Sequence, residues 1–422
     1  MPSEDVTEFG GWPRPPRWVW AAAGVAAVAV LAGVVVARTG QHHAAASSPS
    51  GPSAAAPAPL RGPPVSAGGP AARWPSAAGA CGQGVYLPQI RLTGQHAHVR
   101  VSVLVGGTGV RQVTGGGAVS GLFAGLPDHG RLVLNLVAGP GAGYAFDVPC
   151  PSSSGSVRVY RIVAGAAHRL GITASALLAG PRHAWAVAYP PRVRLTPLNG
   201  GRAITLKTTM NPVADTAAGL VVVAYPKRAS RLGTVELLDP NTGVLRRRLA
   251  EGDTMGAAGH LVLVSLPGCG ALRTLHTCTL ESIDLTTGRP TATVELPAGR
   301  VPVSDAIFSP DGTLAAFQLA RARQDPRFRT GLPAPPSDVV VLHLHTGRLD
   351  FVPGLELPPQ TQTGLAFDPT GRWLLATVSE GDRGELLAWR PGMPGPALVT
   401  TLPGPLDPAP PLLPVPSSWR SS

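Results

Sequence analysis

The sequence predicts an all-β fold, a β-propeller of six or seven blades, on three observations. First, between residues 81 and 402 the apolar residues fall in short Val- and Leu-rich runs. These are cut by Gly, Pro, Asp-Gly and Asn-Gly turns, with hardly any helical periodicity. Second, a turn ending in Thr-Gly follows a strand-like run three times: LLDPNTG up to Gly243, SIDLTTG up to Gly288 and LHLHTG up to Gly347, at intervals of 45 and 59 residues. Third, IFSPDGTLAAFQL (Ile307 to Leu319) and LAFDPTGRWLLATV (Leu365 to Val378) share a second signature, whose glycines Gly312 and Gly371 are again 59 apart. The long interval holds an Arg- and Pro-rich insertion, Arg321 to Ser337, and removing it brings the repeat close to its shorter neighbour. A repeat of roughly 40 to 50 residues with four short strands is that of a blade.

Five blades are recognisable, starting near His183-Ala184-Trp185, Ala217 to Ala224, Gly259 to Ser265, Ile307 to Leu319 and Leu365 to Val378. Earlier strand candidates, HVRVSVLV and RLVLNLVA within residues 85 to 150, supply one or two more. Within the turns, Pro310 fixes φ, Gly312 permits a positive φ, and Asp284 can accept from backbone amides two residues on. The turns Phe308-Ser309-Pro310-Asp311-Gly312 and Asp284-Leu285-Thr286-Thr287-Gly288 resemble those of WD-repeat and TolB-like propellers over roughly residues 180 to 400. The resemblance implies the fold. It departs from the WD pattern at Trp389, which Arg390 follows, and no Gly-His and Trp-Asp pair recurs, so the functions of intracellular WD proteins are not carried over.

From Trp18 to Ala37 run twenty residues without a charge, WVWAAAGVAAVAVLAGVVVA. At about 1.5 Å per residue they span the roughly 30 Å hydrocarbon core, and Trp18, Trp20, Arg17 and Arg38 flank them as interfacial residues do. The competing reading is a cleaved signal peptide with Ala44-Ala45-Ala46 at the cleavage site; the length of the apolar core favours an uncleaved anchor. Arg14, Arg17 and the terminal amine precede the helix and Arg38 alone follows closely, which sets the N-terminus in the cytoplasm and the bulk outside. The expected organisation is a cytoplasmic tail (1–17), a transmembrane helix (18–37), a disordered Ala/Pro/Gly/Ser linker (38–80), an extracytoplasmic propeller (81–402) and a disordered Pro-rich tail (403–422).

The four cysteines, Cys81, Cys150, Cys269 and Cys278, all follow the apolar segment, an even count suited to an oxidising compartment. Cys269 with Cys278 flanks one turn, leaving Cys81 for Cys150. The net charge of +11 is spread over scattered arginines, with only Lys207 and Lys227 as lysines, which argues against nucleic acid. Arginine in place of lysine, with 52 Gly and 47 Pro, is the composition of a GC-rich genome such as an actinobacterium's.

No linear catalytic motif occurs: Lys207 and Lys227 do not follow glycine as a phosphate loop requires, and H-E-x-x-H, G-x-S-x-G and EF-hand patterns are missing. No catalytic residue, cofactor or firm metal ligand is therefore expected; Asp215, Asp253 and Asp305, each ahead of a strand, are candidates for a cation site at one channel mouth. The arginine run Arg246-Arg247-Arg248 and the cluster Arg321, Arg323, Arg327 and Arg329 are candidates for contact with anionic wall polymers or lipid headgroups, the alternative being a solvated loop face. The function that follows is a membrane-tethered, non-catalytic module binding an extracytoplasmic protein or cell-wall glycan. The alternative is a propeller-type enzyme, a lactonase, lyase or hydrolase, with its site in the central channel.

Overall fold

The computed structural model describes residues 97, 99, 103–105, 110–114, 117–122, 131–149, 157–163, 166–189, 192–226, 233–269, 277–321, 337–357, 364–380, 383–402 and 412–414. The expected cytoplasmic tail, transmembrane helix and linker, with Cys81 and Cys150, lie outside these residues. Among the described residues no helix is long and apolar enough to cross a membrane.

Among the described residues the strands form seven antiparallel sheets. Blade 1 holds β1 (Val103–Val105), β2 (Arg111–Val113), β3 (Val119–Leu122) and, from the other end of the chain, β29 (Leu412–Pro414). Blade 2 is β4 (Arg131–Gly139), β5 (Ala142–Pro149), β6 (Arg158–Val163) and β7 (Ala166–Leu170). Blade 3 is β8 (Ala176–Leu178), β9 (Trp185–Ala188), β10 (Val193–Pro197) and β11 (Ile204–Leu206). Blade 4 is β12 (Met210–Asp215), β13 (Leu220–Ala224), β14 (Thr234–Leu238) and β15 (Leu245–Glu251). Blade 5 is β16 (Asp253–Ala258), β17 (Leu261–Ser265), β18 (Thr279–Asp284) and β19 (Pro290–Glu295). Blade 6 is β20 (Arg300–Pro302), β21 (Ile307–Phe308), β22 (Leu314–Arg321), β23 (Ser337–His343) and β24 (Leu349–Leu357), with β20 and β21 both on β22. Blade 7 is β25 (Leu365–Phe367), β26 (Leu374–Glu380), β27 (Arg383–Trp389) and β28 (Ala397–Leu402).

The innermost strands touch in the order β4, β8, β12, β16, β21, β25, β29 and back to β4, so the ring is closed. This is the expected propeller, at the upper of the two blade counts. Its second strands explain the long apolar runs read in the sequence. Along β17, Leu261 and Leu263 pack into the core shared with blade 6, whereas Val262 and Val264 pack into the core shared with blade 4. A strand buried on both faces has no polar positions to alternate. The blade starts read from sequence are mostly these second strands; the innermost ones escaped notice because they are short, bulged and made of small or polar residues, as in MNPVAD and DTMGAA. In β16, Gly256 has φ of 151°, and a Cβ there would come within 2.6 Å of the Ala306 carbonyl oxygen on blade 6. The axis leaves no room for a larger residue.

Of residues 403–422, expected to form a disordered Pro-rich tail, only Leu412–Pro414 are described, and these depart from the expectation: they form β29 and pair antiparallel with β1, while the remainder lies outside the described residues. Leu412 enters the core between blades 7 and 1, and Leu413 enters the core that holds Val133 and Tyr160 of blade 2. Three residues flanked by prolines carry no periodicity, but alternate side chains of one strand face opposite ways, and both are buried. Cys269 and Cys278 form a disulfide, buried in the core between blades 5 and 6.

Leu413→Asp should lower the thermal midpoint of the ring by at least about 5 °C, since it buries an unpaired charge at the closure. Leu413→Met should leave it nearly unchanged. A Leu413→Asp midpoint equal to wild type in differential scanning calorimetry would show that β29 does not close the ring.

Candidate functional site

The three aspartates expected to share one channel mouth do not meet. Asp215 ends β12, whereas Asp253 opens β16, and because innermost strands run alike around the ring these are opposite mouths. Asp305 lies between them in height, in the break between β20 and β21. Among the described residues no group of three His, Cys, Asp or Glu side chains is placed to hold a metal ion.

Each aspartate instead has its own environment. The buried Asp215 accepts from the Trp185 indole Nε1 at 2.9 Å through Oδ2, its Oδ1 has no partner, and burial pushes its carboxyl up despite the indole and the nearby Arg182 and His183. The Tyr225 hydroxyl donates to Asp253 at 2.9 Å, and the Tyr189 hydroxyl donates to Asn211 at 2.7 Å. These two contacts are equivalent: a tyrosine just past the second strand of one blade reaches the start of the innermost strand of the next. Asp305 keeps surface open to solvent although protein surrounds it, and desolvation pushes its carboxyl up to about 6. Next to it Val303 is 40% exposed.

The arginine run of β15 serves the rim of blade 4. Arg246 pairs with Asp239 and donates to the Ala218 carbonyl, Arg247 donates to the Thr286 carbonyl of blade 5 at 2.8 Å, and Arg248 lies 3.4 Å from Glu236. Gly288 is needed beneath Arg247: its φ is 70°, and a Cβ would meet the Arg247 Cδ at 2.6 Å.

The turns that join third and fourth strands reveal a departure that sequence reading missed. In blades 4 and 5 the first turn residue is an aspartate that caps its own turn. Asp239 accepts from the Asn241 and Thr242 amides and Asp284 from the Thr287 amide and hydroxyl, which holds both carboxyls below the usual range. In blade 6 the same place is taken by His343, with the turn still closed by Gly347 N–H donating to the His343 carbonyl at 2.8 Å. Seven residues on, where blade 4 has Arg246, blade 6 has Asp350. Compared with blade 4 the acid and base have exchanged places, and Arg348 stands between them, at the position where blade 5 also has an arginine, Arg289. The His343 Nε2 lies 2.8 Å from both Asp350 Oδ2 and an Arg348 nitrogen, and Arg348 donates to Asp350 at 2.9 Å. One ring nitrogen either donates or accepts, so the tautomer selects one of its two contacts.

This cluster edges a shallow groove of about 380 Å³ between the outer strand of blade 6 and the rim turn of blade 7. One wall is Arg348, Leu349, Asp350, Phe351 and Pro353; the other is Trp389, Pro391, Gly392 and Met393. Trp389 is buried and donates from Nε1 to the Met393 carbonyl at 3.3 Å, which fixes the turn. Arg300, paired with Asp338, lies 5.7 Å from the centre of the exposed Phe351 ring, whereas the Arg390 guanidinium, 5.0 Å from the centre of the Trp373 ring, lies outside the groove's lining, where Trp373 packs toward blade 1. Arg, Trp, Phe and Met around a solvent-open groove are the residues enriched at recognition surfaces. The sequence signal that marks them is the His in place of Asp at the head of the third Thr-Gly turn.

No protein-family model matches the chain, and no curated protein matches it in sequence. Solved structures similar to it include a putative 6-phosphogluconolactonase from Bacteroides fragilis, at 12% identity and a TM-score of 0.39 over 76% of this chain and 100% of that one. A protein from Lactobacillus plantarum is similar at 13% identity and 0.36, over 74% and 99%. Hydrazine synthase from Kuenenia stuttgartiensis is similar at 14% and 0.43, over 60% and 76%. At such values the likeness assigns no activity.

A raised carboxyl is favoured neutral, so ionising Asp305 costs the folded state stability as pH climbs from the unfolded value of 3.8 through about 6. Asp305→Asn should therefore match wild type at pH 3.5 and exceed it in thermal midpoint above pH 6. Parallel melting curves across that range would refute the assignment.

Proposed function

We propose that the chain is a membrane-tethered propeller, displayed outside the cell membrane through residues 18–37, that acts as a non-catalytic module binding a protein or glycan partner. The observation that carries the binding reading is the rim groove, which combines exposed Phe351 and Arg348 and half-buried Met393 with a turn fixed by Trp389. The disulfide between Cys269 and Cys278 supports an oxidising location. The inner carboxylates Asp215 and Asp253 are engaged by Trp185 and Tyr225, which gives them a structural use at the blade interfaces. One observation favours the second reading, an enzyme with its site in the channel: the Asp305 carboxyl, raised to about 6, is in the range of a general acid.

In right-side-out membrane vesicles, external protease should remove the ring and leave an N-terminal tag protected; a protected ring would overturn the topology. The detergent-solubilised full chain should be retained by immobilised cell-envelope material, with Phe351→Asp reducing retention at least tenfold. Equal retention of the variant would dissociate binding from the groove. Digesting the envelope material with protease or with muramidase beforehand separates a protein from a glycan partner.

A further inference from the structure

The junction of blades 3 and 4 leaves one oxygen over. Asp215 is only 5% exposed; its Oδ2 accepts from the Trp185 indole at 2.9 Å, and its buried Oδ1 has no partner among the described residues. A neutral carboxyl tolerates that position at modest cost. An ionised one without a second donor does not, because a buried charge needs its remaining lone pairs satisfied.

The packing narrows the source of that donor. Blade 3 presses on the Oδ2 side, where a Cβ on Gly180 would come within 2.4 Å of Oδ2 and 2.6 Å of the His183 carbonyl oxygen. The charges that act on Asp215 are Arg182 and His183, both in the turn joining β8 to β9. Neither β8, β9 nor β13 carries an ionisable side chain, and Asp253 of β16 opens its strand at the opposite mouth. His183 is committed: its Nδ1 lies 2.8 Å from Asn199 Oδ1, and its ring meets Trp185 in a T-shaped contact at 5.0 Å between centroids. Arg182 is exposed, pairs with no carboxylate among the described residues, and donates from one terminal nitrogen to the Ala217 carbonyl at 2.9 Å. Ala217 is two residues beyond Asp215, so the guanidinium already rests beside the end of β12.

We propose that Arg182 is a proton-operated latch between blades 3 and 4. It holds the Ala217 carbonyl while Asp215 is protonated and moves to Asp215 Oδ1 when that carboxyl ionises, the proton leaving to solvent. Each state satisfies what the other cannot: a neutral carboxyl has little to offer a guanidinium, and an ionised one forms a charge-assisted bond stronger than that to a neutral carbonyl. The exchange matters to the turn between β12 and β13. Two arginines grip it by its carbonyls, Arg182 from blade 3 on Ala217 and Arg246 from β15 on Ala218. Transfer leaves the turn to Arg246 of its own blade, so a proton lost at Asp215 unties it from blade 3. The device is independent of what the rim groove binds.

Tryptophan fluorescence of the full chain in detergent micelles, followed across about pH 3 to 8, reads the latch through the indole bonded to Asp215. A step should appear with a midpoint above the ordinary aspartate value of 3.8, since burial raises this carboxyl. It should be missing from Asp215→Asn and Trp185→Phe and kept in His183→Gln. Arg182→Gln removes the donor of the ionised state and should raise the midpoint by about one pH unit, tenfold in the ionisation constant. Arg182→Lys, which keeps the charge and a donor, should recover part of that shift and serves where the glutamine variant melts early. The shift should persist in about 0.5 M salt, which screens attraction through solvent far more than a buried contact. A midpoint unmoved by Arg182→Gln, or a shift that salt abolishes, would overturn the latch. So would a step that vanishes in His183→Gln, or no step at all.

Discussion

The ring of sheets is closed where blade 1 draws strands from both ends of the described chain, β29 pairing with β1. Each sheet buries both faces against its neighbours, so no blade is stable as an isolated layer, and an open ring would expose the two faces on either side of the gap. Leu412 and Leu413 stitch those faces by alternating into the cores toward blade 7 and toward blade 2. The arrangement makes a short C-terminal strand matter out of proportion to its length, because its loss is felt at two interfaces.

Crowding at the axis is the second consequence of closure. Seven innermost strands converge, so they carry bulges, glycine and small residues, and their polar groups are satisfied across blade boundaries rather than within a sheet. Asp215 N–H donates to the Ala179 carbonyl of blade 3, and Ala306 N–H to the Met255 carbonyl of blade 5. The hydroxyls of Tyr189 and Tyr225 do the same work at the opposite mouth. Hydrogen bonds of this kind add about 1 kcal/mol each in net terms; their larger effect is to set the rotation between blades, since a misplaced blade would leave buried acceptors unpaired.

How much of this the sequence discloses depends on how local the cause is. The Thr-Gly turns and the Phe308 to Gly312 turn are written in consecutive residues, and they sit in the structure where their spacing placed them, with Gly243, Gly288, Gly312, Gly347 and Gly371 all at φ near 70°. The pairing of Cys269 with Cys278 is likewise local. Closure by β29 joins residues some three hundred positions apart through three apolar or proline positions, and no periodicity marks it. The aspartates misled for a related reason. Each precedes a recognisable second strand, but the innermost strands lie unseen ahead of them, and whether an aspartate begins or ends such a strand decides which mouth it occupies.

The rim shows how a repeat can separate structural from exposed charge. Where the turn begins with aspartate, as at Asp239 and Asp284, the carboxylate is consumed by the turn's own amides, and in blade 4 Arg246 and Arg247 are held by a carboxylate and carbonyls. Blade 6 keeps the backbone of that turn, including Gly347 and its bond to the His343 carbonyl, but gives up the side-chain cap. Losing such a cap generally costs a turn or helix end about 1 kcal/mol. The His343, Arg348 and Asp350 cluster that replaces it lies partly in water beside Phe351, where ion pairs contribute little to stability. The cluster thus adds little to the stability of the ring, and it edges a groove walled in part by Phe351, Trp389 and Met393, the surface on which the proposed binding rests.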